Sequence, residues 1–166
     1  TLLDFADTVA GGGRAFDTVA GGLGNDVYYF TAEIIGAGLP AGWLVELPGG
    51  GRARVVATVD TLFVLPDNVE DLDYRASSDV SGNSAIGNAG HNRISGISIG
   101  TLFVLTLEGL AGNDTLTNAG INIAMLDGGT GHDRLFGNAV EDTLFGGRGR
   151  DSLSGAGGDD LLIGDD

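Results

Sequence analysis

Cysteine is missing from this 166-residue chain, and so is lysine. Without cysteine there is no disulfide framework and no thiolate metal site. The eight basic residues are all arginine and face 23 acidic ones, for a net charge of -15. Nucleic acid and anionic membranes are gripped through a basic face, so neither is an expected partner. No apolar run approaches the ~18 residues of a spanning helix, and membrane insertion is not expected. Proline occurs three times and no Gly-X-Y period exists, which excludes collagen. There is no H-E-x-x-H pair, hence no helical zinc-protease centre. Neither an initiator Met nor a signal peptide opens the chain, and the first residues, TLLDFADTV, read as cut from within a longer pattern.

What is abundant is glycine. The chain has 31 of them, nearly three times the ordinary ~7%. Glycine weakens helices and plain strands, because it costs backbone entropy and packs nothing. The chain is nevertheless 42% hydrophobic, too apolar for a disordered linker. The glycines therefore belong to turns, and to many of them.

Those turns recur. From Gly128 the chain reads GGTGHDRLF, GNAVEDTLF, GGRGRDSLS and GAGGDDLLI, a period of nine without insertion to Ile163. Glycine holds the first position, Asp133, Asp142, Asp151 and Asp160 the sixth, and Leu135, Leu144, Leu153 and Leu162 the eighth. Upstream, GLAGNDTLT places Asp114 sixth and Leu116 eighth, and GGLGNDVYY places Asp26 sixth and Tyr28 eighth. Degenerate copies lie between: GNAGHNRIS carries Asn92 at the sixth position, and the unit from Asn118 carries Ile123 there, with Asp127 as an extra residue.

The unit divides into a six-residue turn and a three-residue strand whose eighth position points inward by two-residue alternation. Two units make one coil, so like turns stack eighteen residues apart at the interstrand spacing of ~4.8 Å. Stacking sets Asp above Asp, which is repulsive without a counter-charge. A lone Asp here would be a turn former; four in frame with the glycines point to a shared cation. Ca²⁺ suits such a ladder, since it takes about six to eight oxygens from carboxylates and backbone carbonyls, whereas Mg²⁺ demands a tighter octahedron. Glycines at the first, second and fourth positions tolerate positive φ and leave carbonyls open to a ligand. The expected ligand-bearing residues are Gly22, Gly24 and Asp26; Gly109, Gly112 and Asp114; Gly129, Gly131 and Asp133; Asp142; Gly147, Gly149 and Asp151; Gly158 and Asp160; and Asp166. One edge, with turns from Gly109, Gly128, Gly146 and Gly164, should carry full sites. The other has Ile123, Asn138 and Val140 at key positions and should carry at most one, between Asp142 and Asp160.

These nonapeptides resemble the RTX (repeats-in-toxin) family, whose signature is G-G-x-G-x-D-x-U-x with U a large apolar residue. The likeness is strong over 12–29 and 109–163 and weaker over 60–108. It implies an all-β fold, a parallel β-roll or β-helix solenoid with calcium-binding turns. The expected organisation is N-terminal repeats over 1–30, a metal-poor spacer with degenerate repeats over 31–108, and a C-terminal β-roll over 109–166, all in one continuous solenoid. Residues 27–30 and, within the spacer, 43–47, 52–59, 61–65 and 101–107 read as strands. Trp43, Phe63 and Phe103 read as core or end caps, and Asn83, Asn88 and Asn92 as an amide ladder.

One catalytic motif is present. Gly96-Ile97-Ser98-Ile99-Gly100 matches the nucleophile elbow, and Ser98, Asp114 and His132 follow in the matching order. An elbow needs a strand–turn–helix, and no amphipathic helix follows, so no enzyme activity is expected. His91 and His132 fall at the fifth, variable turn position and should be solvated. The resemblance implies a secreted, extracellular bacterial protein, folding on calcium outside the cell. Two roles fit: a structural module of a surface-layer, adhesin or filament protein with possible end-to-end self-association, or the accessory C-terminal module of a type I-secreted enzyme or toxin. A glycan-binding role for Trp43 is the minor alternative.

Overall fold

The computed structural model describes residues 8–10, 19–31, 44–76, 82–98 and 104–165. Among them there is no helix, so none is long and apolar enough to cross a membrane. Short strands separated by glycine-rich turns build two parallel sheets that face each other. The first stacks Thr8–Ala10, Val27–Thr31, Arg54–Thr58, Asp71–Ala76, Arg93–Ser98, Thr115–Asn118, Arg134–Phe136 and Ser152–Ser154, in chain order. The second stacks Leu62–Val64, Ser84–Ile86, Leu105–Glu108, Ala124–Asp127, Thr143–Phe145 and Leu161–Ile163. Val19–Ala20 and Leu44–Val45 form a separate parallel pair. This is a β-solenoid, as the nine-residue period predicts.

The core is two facing columns. Tyr28, Val55, Leu72, Ile94, Leu116, Leu135 and Leu153 are in register on the first sheet. Phe63, Ala85, Leu107, Leu126, Leu144 and Leu162 are in register on the second. All are buried down to Leu135 and Leu144; Leu153 is only partly covered, and Leu162 is 44% exposed. The eighth position of each nonapeptide thus forms the interior, because alternation in a three-residue strand leaves one residue facing inward. Phe63 is core, its ring tilted against that of Phe30 with the centroids 6.4 Å apart. Trp43 and Phe103 lie outside the described residues.

Coil length varies along the stack. Counted along the sixth-position column it is 27 residues at the N-terminal end, then 17, two coils of 22, then 19 and 18. The 19-residue coil absorbs Asp127, which closes the strand Ala124–Asp127 and lies beside Glu108. There are two six-residue strands: Asp71–Ala76 was not expected from the sequence, and Arg93–Ser98 runs three residues beyond the strand that the degenerate unit from Gly87 predicts. Both alternate strictly, burying Leu72, Tyr74 and Ala76, and Ile94, Gly96 and Ser98. Asp71 and Asp73 on the outer face pair with Arg52 and Arg54. Those carboxylates and the neighbouring asparagines hide a period of two beneath a turn-like composition.

Candidate metal centre

The sixth positions stand in one column along the first edge of the roll: Asp26, Ala53, Glu70, Asn92, Asp114, Asp133 and Asp151, each preceding a strand of the first sheet. In its C-terminal part the two carboxylate oxygens of each Asp do different things. Oδ1 accepts the backbone N–H of the sixth residue one coil earlier. Asn92 donates to Asp114 at 2.7 Å, Asp114 to Asp133 at 2.7 Å and Asp133 to Asp151 at 2.8 Å. Oδ2 of Asp114, Asp133 and Asp151 is buried and has no hydrogen-bond partner. A buried carboxylate oxygen left unpaired costs several kcal/mol in order of magnitude, and three of them recur at equivalent places.

The first-position glycines frame those oxygens. A Cβ on Gly128 would lie 2.6 Å from Asp133 Oδ2 and 2.7 Å from the Gly146 carbonyl oxygen; on Gly109 it would meet Asp114 Oδ2 and the Gly128 carbonyl, and on Gly146 Asp151 Oδ2 and the Gly164 carbonyl. Carboxylate and carbonyl oxygens thus converge from adjacent coils on a place that only glycine leaves open. At the second and fourth positions Gly129 and Gly131 hold φ of 93° and 141°, Gly147 and Gly149 87° and 137°, and Gly112 119°. Leu110, at a second position, is forced to 76°, where a side chain is strained. The turns are laddered by their own backbone: Gly112 N–H donates to Thr130 O, Thr130 N–H to Leu110 O and Arg148 N–H to Gly129 O.

The fifth position holds a ladder that the sequence did not reveal. Asn113 N–H donates to His91 Nδ1 at 2.6 Å, His132 N–H to Asn113 Oδ1 at 2.8 Å and Arg150 N–H to His132 Nδ1 at 2.9 Å. The two histidines are exposed, as expected, yet each is an acceptor that ties one turn to the next. Only a side chain with an acceptor atom can do this, a signal invisible in a variable position.

Charge accumulates along this edge. Burial, with the charge of Asp133 adding to it, pushes the Asp114 carboxyl up to about 7, although the N–H of Asn92 opposes the shift. Burial likewise raises Asp133, helped by Asp151 and Asp127 and opposed by the N–H of Asp114 and by His132. Among the described residues no three His, Cys, Asp or Glu side chains converge on one point. A cation here would therefore rest on two stacked carboxylates completed by backbone carbonyls. That all-oxygen donor set, with an unpaired anionic oxygen in each turn, fits calcium.

Toward the N-terminal end the column changes. Gly22 and Gly24 hold φ of 92° and 120° and Asp26 is fully buried. The coil stacked on it offers Ala53 instead of an acid, and Glu70 in the coil after that accepts the Ala53 N–H at 2.8 Å. Glu46, absent from the sequence reading, is buried beside this turn and accepts the Tyr28 hydroxyl. Burial raises its carboxyl, with Asp26 and Glu70 adding and Tyr28 opposing. No spacing rule points to Glu46, because it enters from an irregular 27-residue coil.

The second edge is built differently. Asp142 and Asp160 stack, the Asp142 N–H donating to Asp160 Oδ1 at 2.9 Å, and Gly158 holds φ of 99°. Both oxygens of Asp142, however, are occupied: Oδ1 accepts the Ala124 N–H at 2.6 Å and Asn118 Nδ2 at 3.2 Å, and Oδ2 accepts the Asn138 N–H at 2.7 Å. Asp166 lies outside the described residues. Asn88 and Asn92 bond each other within one turn, four residues apart, rather than in the amide ladder expected between coils, and Asn83 Oδ1 is buried without a hydrogen-bond partner. Ser98 is buried on the inner face of its strand, whereas a nucleophile elbow needs its serine exposed.

Comparison with curated proteins and with solved structures gives no match. The model of the RTX calcium-binding nonapeptide repeat (HemolysinCabind) matches four times, over residues 4–32, 106–117, 125–139 and 136–166, together half of the chain. Those stretches contain the sixth-position aspartates, the first-position glycines and the positive-φ turns just described. Calcium is the ion such repeats bind, and they are typical of secreted bacterial proteins. The chain is a calcium-binding structural module and belongs to the RTX calcium-binding nonapeptide-repeat family.

Proposed function

We propose that this module belongs to a secreted bacterial surface-layer, adhesin or filament protein and completes its fold on meeting calcium outside the cell. The carrying observation is the row of three buried, unpaired carboxylate oxygens on Asp114, Asp133 and Asp151. On this reading those oxygens hold the ions together with carbonyls of the turns that contain Gly109, Gly112, Gly129, Gly131, Gly147 and Gly149. Asp160 and the Gly158 turn contribute at the C-terminal coil, and Asp26 binds with the Gly22 and Gly24 turn and with Glu46 beside it. When calcium is bound it neutralises the stacked carboxylates; everything else is done by the glycines, which keep the space open and aim the carbonyls. An ion that binds only the folded chain stabilises it by mass action.

On this reading the modules assemble by end-to-end stacking, since a parallel solenoid offers each further coil a strand edge to pair with. The competing role is an accessory module of a type I-secreted enzyme or toxin. Titrating calcium into the chelated protein, with circular dichroism and particle size followed together, tests all of this. β-Signal should rise with Ca²⁺, weakly with Mg²⁺, and reverse with chelator. Growth in size at the same point favours the filament role; folding without growth favours the accessory one. A chain fully folded without metal and indifferent to calcium would refute the metal-coupled fold.

A further inference from the structure

Three turns share a second sequence pattern, unlike the glycine-rich one: Asn88-Ala89-Gly90-His91-Asn92, Asn118-Ala119-Gly120-Ile121-Asn122 and Asn138-Ala139-Val140-Glu141-Asp142. Each reads N-A-x-x-(N/D). None of their residues is among those with positive φ, the two glycines included, so their backbone path differs from that of the Gly129 and Gly147 turns.

Their hydrogen bonds repeat as well. The Oδ1 of the leading Asn accepts the N–H two residues on, from Gly90 at 2.8 Å, Gly120 at 3.2 Å and Val140 at 2.8 Å. The Nδ2 of the same Asn reaches inward to carbonyl oxygens: Asn88 to Pro66 and Val69 at 2.6 and 2.8 Å, Asn118 to Asn122 at 2.8 Å, and Asn138 to Gly120 and Asn122 at 3.2 and 2.9 Å. In two of the three turns the closing residue is spent too. Asn92 Nδ2 donates to Val69 O and Asn88 Oδ1, and Asp142 accepts two backbone N–H groups and Asn118 Nδ2. An amide NH₂ is a tethered, neutral donor with two positively polarised hydrogens. Here it faces the kind of oxygens a cation would gather, turn carbonyls and a stacked carboxylate.

We propose that these three turns are amide-closed and take no calcium, the Asn NH₂ groups standing where an ion would otherwise be needed. This rests on the calcium reading of the first edge. It removes Asp142 from the ligand set and divides the coils from Gly109 to Phe145 lengthwise. Their first edge, with Asp114 and Asp133, is closed by calcium; their second edge, with Asn118, Asn138 and Asp142, is closed by its own side chains. Withdrawing calcium then frees the first edge while the second stays paired, and the roll opens along one side like a hinge.

Hydrogen exchange of the intact chain, in chelator and in saturating calcium, tests this, together with a count of bound ions. In chelator the Ala124, Asn138 and Val140 amides should stay protected, while the Asp114, Thr130 and Asp133 amides gain protection only with calcium. Asp133→Asn should lower the number of bound ions, and Asp142→Asn should leave it unchanged while speeding exchange at Ala124. Loss of an ion in Asp142→Asn, or second-edge amides protected only by calcium, would overturn the proposal. If Asp142→Asn does not fold, the exchange pattern of the unmodified chain still decides. No calcium binding at all, with the second edge still protected, would sink the calcium reading of the first edge and leave the amide-closed turns standing.

Discussion

Burial and a like charge act on Asp114 in the same direction, raising its carboxyl to about 7 from an ordinary value of 3.8. Between those values the metal-free folded chain holds a proton that the unfolded chain has lost. Its stability is therefore greatest on the acid side and declines as pH rises toward about 7. Calcium needs the ionised form, so its affinity should move the opposite way. Thermal melts in chelator should show a higher midpoint at mildly acidic than at mildly basic pH, with the order reversed in saturating calcium. Gly128 offers a second residue-scale prediction. A Cβ there meets Asp133 Oδ2 and the Gly146 carbonyl, one of them backbone that cannot swing away. Gly128→Ala should cost about 1–3 kcal/mol by overpacking and weaken calcium binding, read by denaturation with and without the ion. At this scale the sequence was informative where a rule is local. Asp133 and Gly128 are found from the period alone, whereas Glu46 and the acceptor role of His132 depend on neighbours one coil away.

Elements here are strands of two to six residues that cannot stand alone, and most are held by the strands stacked before and after them. Leu135 and Leu144 are fully buried between two neighbours, while Leu162 caps its column half-exposed. Leu135→Ala and Leu144→Ala should each cost about 2–5 kcal/mol, and Leu162→Ala much less. Urea unfolding in saturating calcium measures the difference. The Arg54–Asp73 pair on the outer face should matter far less, at about 0–1 kcal/mol. The repeat strands were legible because Leu recurs every nine residues. Asp71–Ala76 was not, since Asp71, Asp73 and Arg75 advertise a loop, and the buried Leu72, Tyr74 and Ala76 show their meaning only when the strand is paired with Arg54–Thr58 and Arg93–Ser98.

The whole molecule carries a net charge of -15, and its fold concentrates part of that charge along one edge. Self-repulsion opposes the compact state. Without calcium, added monovalent salt should raise the melting midpoint by screening; with calcium bound the salt effect should shrink. Failure of salt to stabilise the chelated chain would mean that the carboxylates are already neutralised by protons.

The nine-residue period by itself determined the solenoid, the inward leucines and the register of the repeat turns, because each follows from alternation in a short strand and from the turn chemistry of glycine and aspartate. It also located the edge richer in acids. Which carboxylates keep a spare oxygen was decided only in the tertiary structure. Asp133 and Asp142 occupy the same place in their nonapeptides. Asp133 faces a glycine turn whose amides are already laddered, and its Oδ2 is left unpaired. Asp142 faces Asn118, Asn138 and Ala124, and every one of them donates to it. Asn118 and Ala124 reach Oδ1 across coils, from 24 and 18 positions away, which no nonapeptide specifies alone; Asn138 fills Oδ2 from four residues back in the same turn, and that depends on the path the turn takes in the stack.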